Sequence, residues 1–202
     1  MTTDFALQLK KIIDFETDFL LSKVTTWQTG GPASFLVKPK SSDQVLAVIK
    51  LTKESKIPWL ILGKGSNVLI SDQGFKGVVL KLEMNKIEKK NGKIKAQAGA
   101  SFTELGLFAA TQGLPGLEFA ATIPGTVGGA IRGNAGAFGG ETKDFLASVE
   151  VLDCQMETPE IRVFKKEDCA FGYRDSFFKH SQNHIILSAE FKLPNGNKEK
   201  SE

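Results

Sequence analysis

The sequence predicts an α+β protein with two lobes, and three observations carry this prediction. Residues 33–82 alternate strand and helix patterns in the order β-α-β-β, which is typical of a small α/β unit. After residues 82–85 the pattern changes to a hairpin, a helix and widely spaced strands. Between that helix and those strands lies a segment that is almost bare of side chains, IPGTVGGAIRGNAGAFGG at 123–140.

The elements of the first lobe follow from hydrophobic periodicity and from capping residues. Apolar side chains between Phe5 and Ile13 recur on one face and predict an amphipathic first helix. Ser41, Ser42 or Asp43 is available to cap the second helix, and Pro58 follows its end. The predicted elements of this lobe are the helices 4–15 and 41–56 and three strands. The strands are 33–39, 59–63, which resumes at 68–70 after the loop GKGSN, and 78–82.

The second lobe is marked by local turn and cap signals. Asn91-Gly92 predicts a tight hairpin. Ser101 and Glu104 have the spacing of a capping box, and Gly113 suits the left-handed residue after a helix. The predicted elements are the strands 85–90, 93–98, 146–154, 160–165 and 185–193 and a helix over 101–113. The resulting division is an N-terminal helix at 1–17, a first lobe at 18–82, a second lobe at 83–194 and a frayed tail at 195–202.

Composition narrows the functional classes. The net charge of the 202 residues is +3, from 26 basic and 23 acidic side chains, which is too mild to predict nucleic-acid binding. No apolar run approaches the ~18 residues of a membrane span, so no membrane insertion is expected. Two cysteines, Cys154 and Cys169, form no disulfide framework and favour a reduced, cytoplasmic setting as small core residues. No pattern indicates the oligomeric state.

The first candidate site is the loop LGKGSN at 62–67. Gly63 and Gly65 allow consecutive backbone N–H groups to converge on an anion such as phosphate, and Ser66 and Asn67 add side-chain donors. The loop matches neither the P-loop nor the Rossmann fingerprint, because it lacks their spacing and leads into a strand. A plain tight turn explains the same residues equally well.

The second candidate site is the segment 123–140, in which seven of eighteen residues are glycine. A tight turn uses one or two glycines, so we expect an extended backbone that lies against a flat ligand, such as a mononucleotide or a fused ring system. The alternative is a flexible loop. Flexible linkers are rich in serine, whereas this segment has none and carries the apolar residues Ile123, Val127, Ile131 and Phe138.

The third candidate site is FGYRDSFFK at 171–179. Its arginine, Arg174, is predicted to be partly buried, with a planar fork suited to a carboxylate or a developing oxyanion. The alternative is an ion pair with Asp175. His180 and His184 have a spacing that binds zinc on a helix, but no third ligand stands out and a strand is predicted next to them. No metal site is therefore predicted.

Four segments, in this order, resemble the MurB family, the UDP-N-acetylenolpyruvoylglucosamine reductases or UDP-N-acetylmuramate dehydrogenases. They are TTWQTGGPASFLVKP, LGKGSNVLISDQGFKGVVL, GLEFAATIPGTVGGAIRGNAGAFGG and FGYRDSFFK, and the resemblance runs from about residue 18 to 193. It implies the two-lobed FAD-binding fold of vanillyl-alcohol oxidase/PCMH-type flavoenzymes. It also implies a role in peptidoglycan synthesis, in which NADPH reduces the flavin and hydride passes to a UDP-sugar enolpyruvate to give UDP-N-acetylmuramate.

The resemblance also assigns roles to residues of the three candidate sites. Arg174 matches the active-site arginine, which polarises the substrate carboxylate and stabilises the enolate-like intermediate, and Tyr173 shapes that pocket. FAD-binding roles fall to the pyrophosphate loop, Gly63, Lys64, Gly65, Ser66 and Asn67, and to the flavin segment, Pro124, Gly125, Gly128, Gly129, Asn134, Gly136 and Ala137.

Two departures from the family pattern bear on function. Arg132 and Gly133 stand where many members have apolar residues, and the Arg132 side chain could reach the FAD phosphates, the flavin edge or only solvent. The family's third domain carries a proton-donating Ser in a GSxFKNP-like segment and an assisting Glu, and neither segment occurs in these 202 residues. The chain is then the FAD-binding part of a reductase, a short variant whose lid comes from another chain, or a flavin-binding homologue without reductase turnover.

Overall fold

A computed structural model describes residues 3–194, and contacts divide this part of the chain into two compact units. The first unit comprises the chain up to Met84 together with Cys154–Glu160, and the second comprises Asn85–Asp153 and the chain from Ile161. Residues 154–160 therefore interrupt the second unit. The lobe limits 18–82 and 83–194 stay predictions, and the predicted tail at 195–202 lies outside the described residues.

The return of residues 154–160 to the first unit has a visible cause. The ammonium of Lys53 donates hydrogen bonds to the backbone carbonyls of Cys154, at 2.7 Å, and Met156. Two carbonyls on one ammonium attach this segment to the second helix of the first unit, a contact between residues about one hundred positions apart that no local sequence pattern predicts.

The first unit is a four-stranded sheet with two helices. The strand order is β1-β2-β4-β3, with β1 antiparallel to β2 and the other neighbours parallel. Leu21, Leu36 and Val79 are among the buried residues of its core. The elements are α1 Thr3–Ile12, β1 Phe15–Leu20, β2 Pro32–Val37, α2 Ser42–Glu54, β3 Trp59–Leu62 and β4 Phe75–Lys81.

Two predictions for the first unit are wrong. The first helix ends at Ile12 and not at 15, because Phe15 starts a strand that pairs with β2 and sets its ring 5.2 Å from that of Phe35. Residues 68–70 form no strand, and the Leu69 side chain is 82% exposed. The prediction of a cap before α2 is confirmed, because the Ser41 hydroxyl accepts a hydrogen bond from the Gln44 backbone N–H.

The second unit is built on a five-stranded sheet of order β10-β9-β11-β6-β5. Strand β11 is antiparallel to both β9 and β6, and β5 is antiparallel to β6. The elements are β5 Ile87–Lys90, β6 Lys93–Gln97, α3 Phe102–Thr111, α4 Val127–Arg132, β7 Gly136–Ala137, β8 Gly140–Glu141, α5 Thr142–Phe145, β9 Leu146–Asp153, β10 Glu160–Lys165, α6 Phe177–His180 and β11 His184–Phe191.

Local signals in the second unit are confirmed. Asn91 and Gly92 have left-handed φ angles of 50° and 72° between β5 and β6, as the predicted hairpin requires. The Ser101 hydroxyl accepts from the Glu104 backbone N–H and caps α3, and Gly113 follows that helix with a φ of 66°. The strands predicted at 146–154, 160–165 and 185–193 are β9, β10 and β11 within two residues.

The glycine-rich segment is not extended throughout, which corrects the prediction. The Thr126 hydroxyl accepts a hydrogen bond from the Gly129 N–H at 3.3 Å and caps the short helix α4. The N–H groups of Val127 and Gly128 donate to the carbonyls of Ala100 and Ala98, both at 2.9 Å. These long-range bonds and the cap offset the low helix propensity of glycine.

The described chain contains no helix of the length and apolarity that a membrane crossing needs. Cys154 and Cys169 are both buried. Burial raises the pKa of the Cys169 thiol to about 12, so this thiol stays protonated and unreactive at neutral pH.

Candidate functional site

The loop that follows β3 is held against an earlier segment of the first unit. Gly65 has a left-handed φ of 70°, and a Cβ there would lie 2.3 Å from the Val24 carbonyl oxygen. The Gly65 carbonyl accepts a hydrogen bond from the Thr26 N–H at 3.0 Å, while the side chains of Lys64 and Asn67 are exposed. A left-handed residue in such a turn lets neighbouring N–H groups converge on an anion, so the loop fits a pyrophosphate.

Two further glycines fix the backbone around this loop. A Cβ on Gly31 would lie 1.9 Å from the Asp72 carbonyl oxygen, and one on Gly74 would lie 1.9 Å from the Pro32 carbonyl oxygen. The Gly31 N–H also donates to the Ser71 carbonyl at 2.9 Å. The segments before β2 and before β4 therefore pack backbone against backbone, and neither position tolerates a side chain.

Five of the seven glycines of the segment 123–140 fall into two groups. In the first group the protein itself occupies the space of a side chain. A Cβ would lie 2.4 Å from the Gly140 carbonyl oxygen at Gly136, 2.7 Å from the Phe119 ring at Gly140, and 3.1 Å from the Ala98 Cβ at Gly128. Packing within the second unit is sufficient to explain why these three residues are glycine.

In the second group the protein leaves the space open. The nearest atom to a Cβ on Gly129 is the Thr126 hydroxyl at 3.4 Å, and on Gly133 it is the Gly129 carbonyl at 3.6 Å. Neither residue has a left-handed φ, and Gly129 lies within α4, where glycine costs about 1 kcal/mol relative to alanine. Neither packing nor backbone conformation therefore requires glycine at these two positions.

The hairpin of β7 and β8 ends in an exposed aromatic ring. Phe138 and Gly139 form its two-residue turn with left-handed φ angles of 53° and 84°, and Phe138 is 89% exposed. The ring borders a cavity of about 380 Å³ that Glu118 and Phe119 also line. A left-handed phenylalanine is uncommon, and no sequence signal marks it. Its exposed face suits stacking against a planar ring.

Arg174 lies at the tip of a tight turn. The backbones of Gly172 and Asp175 exchange hydrogen bonds of 3.0 and 3.3 Å, which leaves Tyr173 and Arg174 as the two central residues. Arg174 has a left-handed φ of 53°. Both central side chains are exposed, so the prediction that Arg174 is partly buried is wrong, because the turn projects its tip from the second unit.

The Arg174 side chain reaches the glycine-rich segment. Its Nη2 donates a hydrogen bond of 2.6 Å to the Gly136 carbonyl, and its guanidinium carbon lies 5.7 Å from the centroid of the Tyr173 ring. The Lys179 ammonium donates to the Arg174 carbonyl at 2.9 Å and supports the turn from α6. Two motifs separated by more than thirty residues in the sequence therefore meet within the second unit.

The alternative ion pair between Arg174 and Asp175 does not form. Both oxygens of Asp175 instead lie 2.9 Å from His180 Nε2, and this bond holds the pKa of the Asp175 carboxyl below its usual value. His180 ends α6 and His184 starts β11, so the two imidazoles do not share a helix face. In residues 3–194 no group of three or more His, Cys, Asp or Glu is arranged to hold a metal ion.

Exposure differs among the remaining residues of the two predicted FAD sets. Arg132 is exposed, and its Nη2 donates to the Lys179 carbonyl at 3.4 Å. Asn134 is completely buried and bonds to protein groups. Two of the predicted FAD contacts are exposed, namely Pro124 and Gly129, and two are buried, namely Gly65 and Gly136. Those that are partly buried are Gly63, Ser66, Gly125, Gly128 and Ala137.

Comparison with known proteins supports the resemblance. The chain is 43% identical over 186 residues to UDP-N-acetylenolpyruvoylglucosamine reductase from Clostridioides difficile, which covers 91% of this chain and 60% of that protein. The structure of the corresponding reductase (MurB) from Thermus caldophilus matches with a TM-score of 0.78 and 32% identity, over 93% of this chain and 65% of that one. The chain thus spans about three-fifths of the length of the curated relatives it matches.

More distant structures confirm the predicted fold class. Cholesterol oxidase from Brevibacterium sterolicum matches with a TM-score of 0.67 at 14% identity, over 91% of this chain and 38% of that one. The family described as the FAD-binding domain matches residues 33–158. Since this match covers more than half of the sequence, the chain belongs to the FAD-binding domain family.

Proposed function

We propose that this chain is an FAD-dependent, NADPH-reduced reductase of UDP-N-acetylglucosamine enolpyruvate, or the FAD-binding part of one, and that it yields UDP-N-acetylmuramate in the cytoplasm. The observation that carries the proposal is the 2.6 Å bond between the Arg174 guanidinium and the Gly136 carbonyl. It sets the candidate catalytic side chain against the segment predicted to lie along the flavin. The relatives named as this reductase support the choice of substrate.

Each unit offers groups that fit FAD. In the first unit the turn at Gly65 and the exposed Lys64 and Asn67 suit the pyrophosphate. In the second unit the open sides of Gly129 and Gly133 allow a ring system to approach bare backbone. Bound FAD would supply the hydride-transfer chemistry.

Arg174 would act on the substrate. Its guanidinium is permanently charged and exposed. The hydrogen bond from Nη2 to the Gly136 carbonyl fixes one edge of the planar guanidinium group. A carboxylate beside it would be polarised, and the negative charge that grows on the enolate-like intermediate would be stabilised where it forms. Tyr173, with its ring against the guanidinium, would limit the positions that Arg174 can take.

The alternative is a flavin-binding module without reductase turnover. The observation that favours it is that the side chains of Tyr173 and Arg174 are both exposed at the tip of their turn. Under this alternative FAD still binds and stabilises the native state, but the enolpyruvyl substrate has no effect on a reduced flavin.

Visible absorbance with added FAD, NADPH and substrate tests the proposal in sequence. We expect the purified chain to bind FAD, to be bleached by NADPH and to recover its flavin absorbance faster when UDP-N-acetylglucosamine enolpyruvate is added. Bleaching without faster recovery would assign the chain to the flavin-binding alternative. A chain that neither retains nor binds FAD would contradict both the reductase proposal and the flavin-binding alternative.

Adjacent glycines in α4 provide a test of how the flavin is held. Gly129→Ala adds a Cβ to open space, so we expect unchanged or higher stability, by up to about 1 kcal/mol, together with weaker FAD binding. Gly128→Ala adds a Cβ 3.1 Å from that of Ala98, so we expect lower stability of the protein without ligand. Thermal unfolding without FAD and FAD titration of each variant separate the two effects. Full FAD affinity in Gly129→Ala would contradict the proposed approach of the flavin to α4.

A further inference from the structure

Asn134 uses its whole side chain within the second unit. It follows α4 with a left-handed φ of 41° and has no exposed surface. Its Nδ2 donates to the Gly172 carbonyl at 2.8 Å and to Glu141 Oε2 at 3.3 Å, and its Oδ1 accepts from the Lys143 N–H at 3.1 Å. Both amide hydrogens are therefore engaged, and no face of the side chain is open to a ligand.

The bond to Gly172 supports the base of the Arg174 turn. The Gly172 carbonyl accepts from Asn134 as well as from the Asp175 N–H that closes the turn. The turn has an uncommon backbone, because Arg174 is a non-glycine residue at φ 53°, and such conformations persist where surrounding contacts hold them. Asn134 supplies such a contact from a buried position.

The tip of the turn is joined to the same piece of chain. Arg174 Nη2 donates to the carbonyl of Gly136, two residues after Asn134. Residues 134–136 therefore bind the turn twice, at its base through a side-chain amide and at its tip through a backbone carbonyl. The Glu141 carboxylate that accepts from Asn134 also pairs with Lys143 at 2.5 Å, and this pairing lowers the pKa of Glu141 and keeps it a charged acceptor.

We propose that Asn134 is a positioning residue that sets the Arg174 guanidinium against the glycine-rich segment, and that it is not a ligand of the flavin. This inference rests on the proposed function for the role of Arg174. It replaces the FAD contact that the family resemblance implied for Asn134 with a support of the catalytic side chain.

The test measures the mobility of the Arg174 guanidinium and the affinity for FAD separately. In ¹⁵N-labelled protein the Nε–H signal of Arg174, identified by its loss in Arg174→Lys, reports how the guanidinium is held without any ligand. Asn134→Asp keeps the shape of the side chain but loses both donors and sets a carboxylate against the Gly172 carbonyl and Glu141. We expect the Arg174 signal to move to the position of a freely rotating arginine, and FAD affinity to stay within about threefold of the parent.

A second variant guards against misfolding. Asn134→Gly tolerates the left-handed φ and removes only the side chain, so we expect the same displacement of the Arg174 signal. Asn91→Gly is its matched control, because Asn91 is also left-handed, at φ 50°, but is exposed in the hairpin between β5 and β6. It should leave the Arg174 signal and FAD affinity unchanged.

The outcomes are distinct. An unmoved Arg174 signal in both Asn134 variants would overturn the inference, and a tenfold loss of FAD affinity with an unmoved signal would return Asn134 to the flavin site. A parent protein that does not bind FAD would remove the proposed function, while the NMR comparison would still decide whether Asn134 positions Arg174.

Discussion

Arg174→Ala is expected to slow the reoxidation of the NADPH-reduced protein by UDP-N-acetylglucosamine enolpyruvate by about 100- to 1,000-fold, the usual effect of removing one donor to a developing oxyanion. FAD binding should change little, because the guanidinium bonds to the Gly136 carbonyl and that residue is also fixed by its packing against Gly140. Stopped-flow absorbance after reduction by NADPH measures the rate, and FAD titration measures the affinity.

Arg132→Ala is the matched control for this prediction. Arg132 is also an exposed arginine of the second unit, but its guanidinium makes only a long hydrogen bond, of 3.4 Å, to the Lys179 carbonyl. The rate should stay within a few-fold of the parent, because weak surface contacts contribute little. Equal rates in the parent and in Arg174→Ala would remove the catalytic role of Arg174 and favour the flavin-binding alternative.

Gly31→Ala is expected to destabilise the first unit by about 3 kcal/mol, which lowers the unfolding temperature of a unit of this size by roughly 12–24 °C. The added Cβ would lie 1.9 Å from the Asp72 carbonyl oxygen, 2.6 Å from the Asp72 carbonyl carbon and 2.7 Å from the Gly74 nitrogen. All three are backbone atoms, so no side-chain rotation relieves the clash. FAD affinity should fall as well, because the neighbouring segment carries the Thr26 bond to Gly65.

The fluorescence of Trp27 and Trp59 follows this unfolding, since both tryptophans of the chain belong to the first unit. Gly133→Ala is the control, because its Cβ would have no neighbour closer than 3.6 Å and its φ is not left-handed. We expect the unfolding temperature of this control to stay within about 2 °C of the parent. A Gly31→Ala protein that unfolds at the parent temperature would contradict the packing of the segments before β2 and β4.

Prediction from sequence succeeded where a few neighbouring residues decide the conformation. The hairpin at Asn91 and Gly92 and the cap at Ser101 depend on turn and cap chemistry that acts over two to four residues. The same local reasoning missed β1, whose residues are mostly exposed and whose strand exists because it pairs with β2. It also missed α4, because glycine has a low helix propensity and bonds to residues 98 and 100 hold that helix.

The candidate site divides in the same way. The identities of the glycines predicted the approach of a flat ligand, since bare backbone limits what can bind. The resemblance to MurB named that ligand as FAD and gave Arg174 its catalytic role, and both assignments stay predictions. The structure was needed to separate the glycines whose side-chain space is filled by the protein from those whose space is open. The atoms around the position of each missing Cβ make this distinction. Likewise, Asn134 matches a cofactor residue by position, and only its burial and its bonds to Gly172 and Glu141 reveal a supporting role.

The sequence by itself determined the two-lobed α+β class and the FAD-binding family, because these depend on periodicity, on local turn chemistry and on the order of the family motifs. The tertiary structure alone decided that Arg174 is exposed at the tip of a left-handed turn and that its guanidinium bonds to Gly136. The physical reason is that these contacts join residues 38 positions apart, and their geometry is set by the packing of elements that no local pattern encodes.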